Sequence, residues 1–133
     1  MFSRRTATVF WCLLCAAAIA NGALRELWLA PRLGAAAHAV STLLLCGVIG
    51  LAALLYARRE GPTQGARGMW ATGLYWMCLT VAFEFLFGHY VAGHSWRHLL
   101  WEYDLAAGRI WVLVPTALAL GPRLALGWLR RRA

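Results

Sequence analysis

The sequence predicts an all-α membrane protein of one domain (1–133): a four-transmembrane-helix bundle with a short amphipathic helix in the loop before its fourth span. Three observations predict it. Hydrophobic residues make up 62% of the chain and charged residues 14%, against roughly 45–50% and about 25% in soluble domains. The apolar residues gather into four runs of about 20 residues, the length that crosses roughly 30 Å of hydrocarbon. The arginines stand at the ends of those runs, as topology signals do.

The first run, near 6–29, follows Arg4 and Arg5 and has the look of a signal peptide. It is expected to be retained, because its removal would leave three spans and unbalance the arginines. Ala30-Pro31-Arg32 is expected to end it, since the residue before a proline is disfavoured in helix. A tight turn there makes the second run, near 33–57, its antiparallel neighbour. The stretch 58–67 is charged and contains Gly61-Pro62, which predicts an exposed turn before the third run, near 68–92. In the following loop Ser95 can cap a helix, and Trp96, Leu99, Leu100 and Tyr103 recur at helical spacing. That pattern predicts a short helix lying on the membrane surface, with Arg97, His98, Trp101 and Asp104 on its polar side. The fourth run, near 109–128, is the weakest, interrupted by Pro115, Pro122 and Arg123.

One side of such a bundle collects Arg4, Arg5, Arg58, Arg59, Arg67, Arg130, Arg131 and Arg132, with Arg123 able to snorkel toward it. The other side has Arg25, Arg32, Arg97 and Arg109. The richer side is expected to be cytoplasmic, with both termini there, in a bacterial inner membrane. Bacterial origin is read from an arginine-only basic set in an Ala- and Leu-rich chain. A net charge of +8 in a soluble protein would point to nucleic acid. Charge placed at span ends points to anionic lipid instead, so no nucleic-acid partner is expected. Cys12, Cys15, Cys46 and Cys78 all lie within apolar runs, which speaks against a disulfide framework. The expected partners are the bilayer and either a second copy or another membrane protein, for which Gly47 and Gly50 permit close helix approach.

Ionisable groups at membrane depth need a partner or a purpose. Asn21 and Arg25 share a helix face, with Glu26 turned about 100° away. His38, Ser41 and Thr42 share a face of the second run, and Thr80 and Glu84 a face of the third. All lie toward the non-cytoplasmic side, so a polar cluster with His89 near its rim is expected, centred on an Arg25–Glu84 ion pair. The same residues can serve only to hold helices in register.

The series Glu84, His89, His94, His98, Glu102 and Asp104, with Arg97 and Arg109, makes the outer loop a second candidate region. Its spacing matches no zinc motif, and Glu84 and His89 lie about 140° apart on a helix. Haem would need His38 and His89 as axial ligands. Neither a metal nor a haem is expected, no cofactor is assigned, and catalytic residues are unknown.

Two stretches, NGALRELWLAPRLG with the following HAVSTLLL, and FEFLFGHYVAGHSWRHLLWEYDLAAGRIW, resemble an uncharacterised group of small bacterial four-helix membrane proteins. The resemblance covers 21–111 and implies topology without mechanism. The functional expectation is non-enzymatic binding or transport of a small ligand, ion or lipid headgroup at the outward-facing cluster. The alternative is an accessory or structural subunit of a membrane complex. A third reading is an intramembrane enzyme with Glu84 as acid or base and His38 or His89 assisting.

Overall fold

A computed structural model describes residues 2–101, 103–104 and 110–133, and every regular element among them is helical. Helix α1 (Arg4–Leu24) passes through one π-helical turn (Arg25–Leu29) into α2 (Ala30–Leu33). Helix α3 (Ala36–Tyr90) follows, then α4 (Trp96–Trp101) and α5 (Leu113–Arg132). Two continuous stretches, Arg4–Leu33 and Ala36–Tyr90, are long and apolar enough to cross a membrane.

The first helix does not stop at Pro31. The π turn absorbs the proline, whose missing N–H falls within the first turn of α2. Arg32 Nη1 donates to the Trp28 carbonyl at 3.1 Å, and its guanidinium lies 4.5 Å from the Trp28 ring centre. The reversal comes instead at Gly34, whose φ of 58° suits a residue without Cβ. The stretch 58–67 also departs from expectation. Helix runs through Pro62 as far as Gly65, the one non-helical residue inside α3 (φ 64°, ψ −165°). Gly61 and Gln64 are buried rather than exposed, because Gly61 meets α5: a Cβ on it would lie 2.7 Å from Leu126 Cδ1. Gly65 therefore divides α3 into two arms, 36–64 and 66–90.

The arms run antiparallel. Thr72 Oγ1 donates to Tyr56 Oη at 3.0 Å, and Gln64 Nε2 donates to the same oxygen at 3.1 Å. Tyr56 and Trp76 meet edge to face at 5.3 Å, both fully buried. Helix α1 lies parallel to the second arm and is fastened to it step by step. Trp76 Nε1 donates to the Ala7 carbonyl (2.8 Å), Thr8 and Tyr75 share a hydroxyl bond (2.9 Å), and Trp11 Nε1 donates to Thr80 Oγ1 (2.9 Å). Asn21 Nδ2 ties α1 to the first arm through the carbonyl and hydroxyl oxygens of Ser41, each at 3.1 Å. Helix α5 packs along both arms, and α1 and α5 make no close backbone approach to each other. The two helices thus each pack on the paired arms of α3 without meeting each other.

This packing gives the bundle two unlike ends. Arg4, Arg5, the Gly65 reversal with its flanking arginines, and Arg130–Arg132 gather at one end, called the basic end below. The Gly34 turn, α4 and Trp111 lie at the other. A short helix is present in the last loop as α4, with Ser95 Oγ accepting from the His98 N–H at 3.1 Å. Its anchor is Leu99, which covers Gly88 so closely that a Cβ there would lie 2.7 Å from Leu99 Cδ2. Leu100, expected on the same apolar face, is 61% exposed.

Candidate functional site

Glu84 projects from the second arm toward α5 near the end opposite the arginines. Tyr103 Oη donates to its Oε2, and Trp111 Nε1 donates to its Oε1 at 3.1 Å. Both donors are neutral, and both are set in place by neighbours. Tyr103 stacks on Phe85 at 5.8 Å, and Phe85 in turn stacks on Trp96 of α4 at 6.5 Å. Burial, and then the adjoining Glu84 carboxylate, hold the Tyr103 phenol above its usual range, so Tyr103 remains the donor.

Below Glu84 lies a cavity of about 180 Å³ reached by side chains from all four long helical segments. Trp11 and Leu14 come from α1, Leu45 and Ile49 from the first arm, Thr80 and Phe83 from the second, and Val114 and Leu118 from α5. Its wall is apolar apart from Glu84 and Thr80, and the Thr80 hydroxyl already accepts from Trp11. Above Glu84, toward the surface, lies a shallow basin of about 360 Å³ lined by Arg25, Glu26, His38, His94, His98, Leu99 and Trp111. Trp111 is the residue common to the linings of the polar basin and the apolar cavity.

The expected cluster is therefore brought together in part, around a different centre. Arg25 does not pair with Glu84: its Nε bonds Glu26 Oε1 at 3.1 Å. Asn21 and Arg25 stay one α-helical turn apart, since the Arg25 N–H bonds the Asn21 carbonyl and the π turn begins only beyond that bond; Arg25 takes its sequence neighbour as partner instead. Ser41 and Thr42 are fully buried and bond locally: Ser41 receives Asn21, and Thr42 Oγ1 donates to the His38 carbonyl at 2.8 Å. His38 faces the basin with its ring 6.0 Å from that of Trp111. His89 lies outside both spaces, stacked on Trp96 at 3.8 Å with its Nδ1 2.9 Å from the His94 carbonyl oxygen. His94 and His98 stack on each other at 4.6 Å and both line the basin, Arg97 is exposed and does not line it, and Asp104 is exposed. Glu102 and Arg109 lie outside the described residues.

No group of three or more His, Cys, Asp or Glu side chains placed to hold a metal ion is found among the described residues. His38 and His89, the pair considered for haem, have different neighbours, Trp111 for one and Trp96 for the other. Trp11, Tyr103 and Trp111 were not among the expected site residues. Their signal was present, since each is an aromatic donor near a run end, where a belt residue and a buried partner for a carboxylate have the same sequence appearance. No protein-family model matches the chain, and neither a curated protein nor a solved structure is significantly similar to it.

Proposed function

We propose that the chain crosses a bacterial inner membrane four times and binds a small organic cation at Glu84, taken from the non-cytoplasmic side. The four crossings are α1 with α2, the two arms of α3, and α5. The arginine-rich end faces the cytoplasm with both termini. The observation that carries the reading is one carboxylate at the head of an otherwise apolar, aromatic-walled cavity of about 180 Å³. A cavity near 150 Å³ is enough for benzene, so the ligand is of that size. Glu84 supplies the charge, and the faces of Trp11, Phe83 and Trp111 favour a cation over a neutral molecule of the same shape. The basin above gives the ligand a polar antechamber, and displacement of Trp111 opens the way between them.

Two experiments test this reading. Reporters fused at Ala133 and inserted at Gly65 are expected to be cytoplasmic, and one inserted at Gly93 periplasmic; a periplasmic Gly65 overturns the orientation. Equilibrium dialysis of purified protein against tetramethylammonium is expected to show one saturable site per chain, weakened at least about tenfold by Glu84→Gln. Folded wild type with no saturable site would instead favour the accessory-subunit reading, in which Glu84, Tyr103 and Trp111 only hold the second arm, the last loop and α5 together.

A further inference from the structure

On the outer flank of the bundle, the first arm of α3 and α5 leave a groove of about 1080 Å³ between them. Its floor is made of small residues, among them Gly50, Ala117 and Gly121, and its rims of Leu54 and Leu124. The crease forms because the two helices approach closely here: a Cβ on Gly121 would lie 3.1 Å from that of Ala53. Toward the basic end the lining changes to Trp70, Trp128, Arg123 and Arg131. Arg123 runs back along α5 toward that end. Its Nη1 would lie 3.3 Å from a Cβ on Gly127, so the glycine leaves the guanidinium its berth beside the groove.

We infer that this groove holds one anionic phospholipid, with an acyl chain along the apolar floor and the phosphate within reach of Arg123 and Arg131. The rise from Gly121 to Arg131 is about 15 Å, the depth of one leaflet's hydrocarbon. By the same rise Arg123 leaves the helix about 12 Å deeper than Arg131, and its guanidinium reaches back to the level of Gly127, so the two cations stand at headgroup level and roughly 6 Å beneath it, with Trp70 and Trp128 at the interface where indoles favour residence. Charge complementarity selects a lipid over a second copy of the chain. An isologous contact would set this groove, and its arginines, against itself. Glu60, the acid at the basic end, is already engaged by Arg59 at 3.4 Å and by Gln64 Nε2 at 2.8 Å. The inference rests on the membrane reading above and is independent of the Glu84 site.

Native mass spectrometry of the full chain in detergent, titrated with phosphatidylglycerol or with phosphatidylcholine of the same acyl chains, tests it. One phosphatidylglycerol is expected to bind at least about tenfold more tightly than phosphatidylcholine, and Arg123→Gln with Arg131→Gln is expected to erase that preference. Arg58→Gln with Arg59→Gln, an equal charge loss away from the groove, is expected to leave it. Gly50→Leu, whose new side chain meets no protein atom within 4 Å at Cβ, is expected to weaken both lipids while every charge is kept. It therefore reads the groove even if the arginine pair does not fold. Equal binding of the two lipids, equal loss in the Arg58 and Arg59 variant, or a lipid-free dimer dispersed by Gly50→Leu would each overturn the inference. Tetramethylammonium binding at Glu84 is expected to be unchanged in Gly50→Leu, so failure of one site is distinguishable from failure of the other.

Discussion

Replacing Gly73 with alanine is expected to cost more stability than any other single-methyl addition in the bundle, about 3 kcal/mol or more on the scale of overpacked cores. A Cβ at this position would lie 2.1 Å from the Ala119 carbonyl oxygen and 2.8 Å from its carbon. Both atoms belong to backbone, so no rotamer change relieves the overlap. The second arm and α5 would have to separate along the seam that carries Trp76, Val114 and Leu118, all fully buried. The same separation would pull Trp111 away from Glu84. Gly47→Ala is the matched control, since a Cβ there meets nothing within 4 Å, and helix propensity alone favours it by about 1 kcal/mol. Unfolding midpoints in one detergent check the pair. A Gly73→Ala protein as stable as wild type would mean that α5 does not pack as described.

The second large effect concerns Glu84. Glu84→Leu strands the Tyr103 hydroxyl and the Trp111 N–H, and each unsatisfied buried donor costs about 1–3 kcal/mol. Tyr103→Phe removes one of those donors and is expected to be milder. Combining them is expected to cost less than the sum, by about 1 kcal/mol or more, because the double variant no longer strands the phenol. The corresponding cycle between Glu84→Leu and Arg25→Leu is expected to be additive within about 0.5 kcal/mol, since Arg25 bonds Glu26 instead. Coupling to Arg25 and none to Tyr103 would restore the ion pair that the sequence had suggested.

That exchange of partners shows what was legible in the sequence and what was not. The helical class, the long apolar stretches and the Ser95 cap follow from composition and local pattern, which act over a few residues. Ser95, for example, needs only the N–H of His98, three residues on. The reversal points were harder, because Pro31 and Pro62 are strong local breakers that tertiary context accommodates. The π turn takes up one, and the contact of Gly61 with Leu126 keeps helix around the other. Glycine decided both turns, at Gly34 and Gly65, where the backbone needs positive φ. At the candidate site, the i, i+4 count placed Arg25 on the face of Asn21, and the α-helical turn between them is present, but the acid that Arg25 meets is its own neighbour Glu26. Glu84, His38 and Thr80 were recognisable as polar residues in apolar runs. The donors that hold Glu84 lie 19 and 27 residues away in sequence, and only the packing of the last loop and α5 onto the second arm brings them to it.

The reading of Glu84 as a cation site is tested most directly by two ligands of one shape that differ in charge: choline, and 3,3-dimethylbutan-1-ol, in which carbon replaces nitrogen. Their dissociation constants are measured on wild type and on a folded Glu84→Gln variant in the same detergent. Wild type is expected to prefer choline by at least about tenfold, through the carboxylate and the faces of Trp11 and Trp111. Glu84→Gln is expected to lose most of that preference while binding the neutral alcohol about as well as wild type does. Equal affinity of wild type for the two ligands, or a choline preference that survives Glu84→Gln unchanged, would contradict a site built around Glu84.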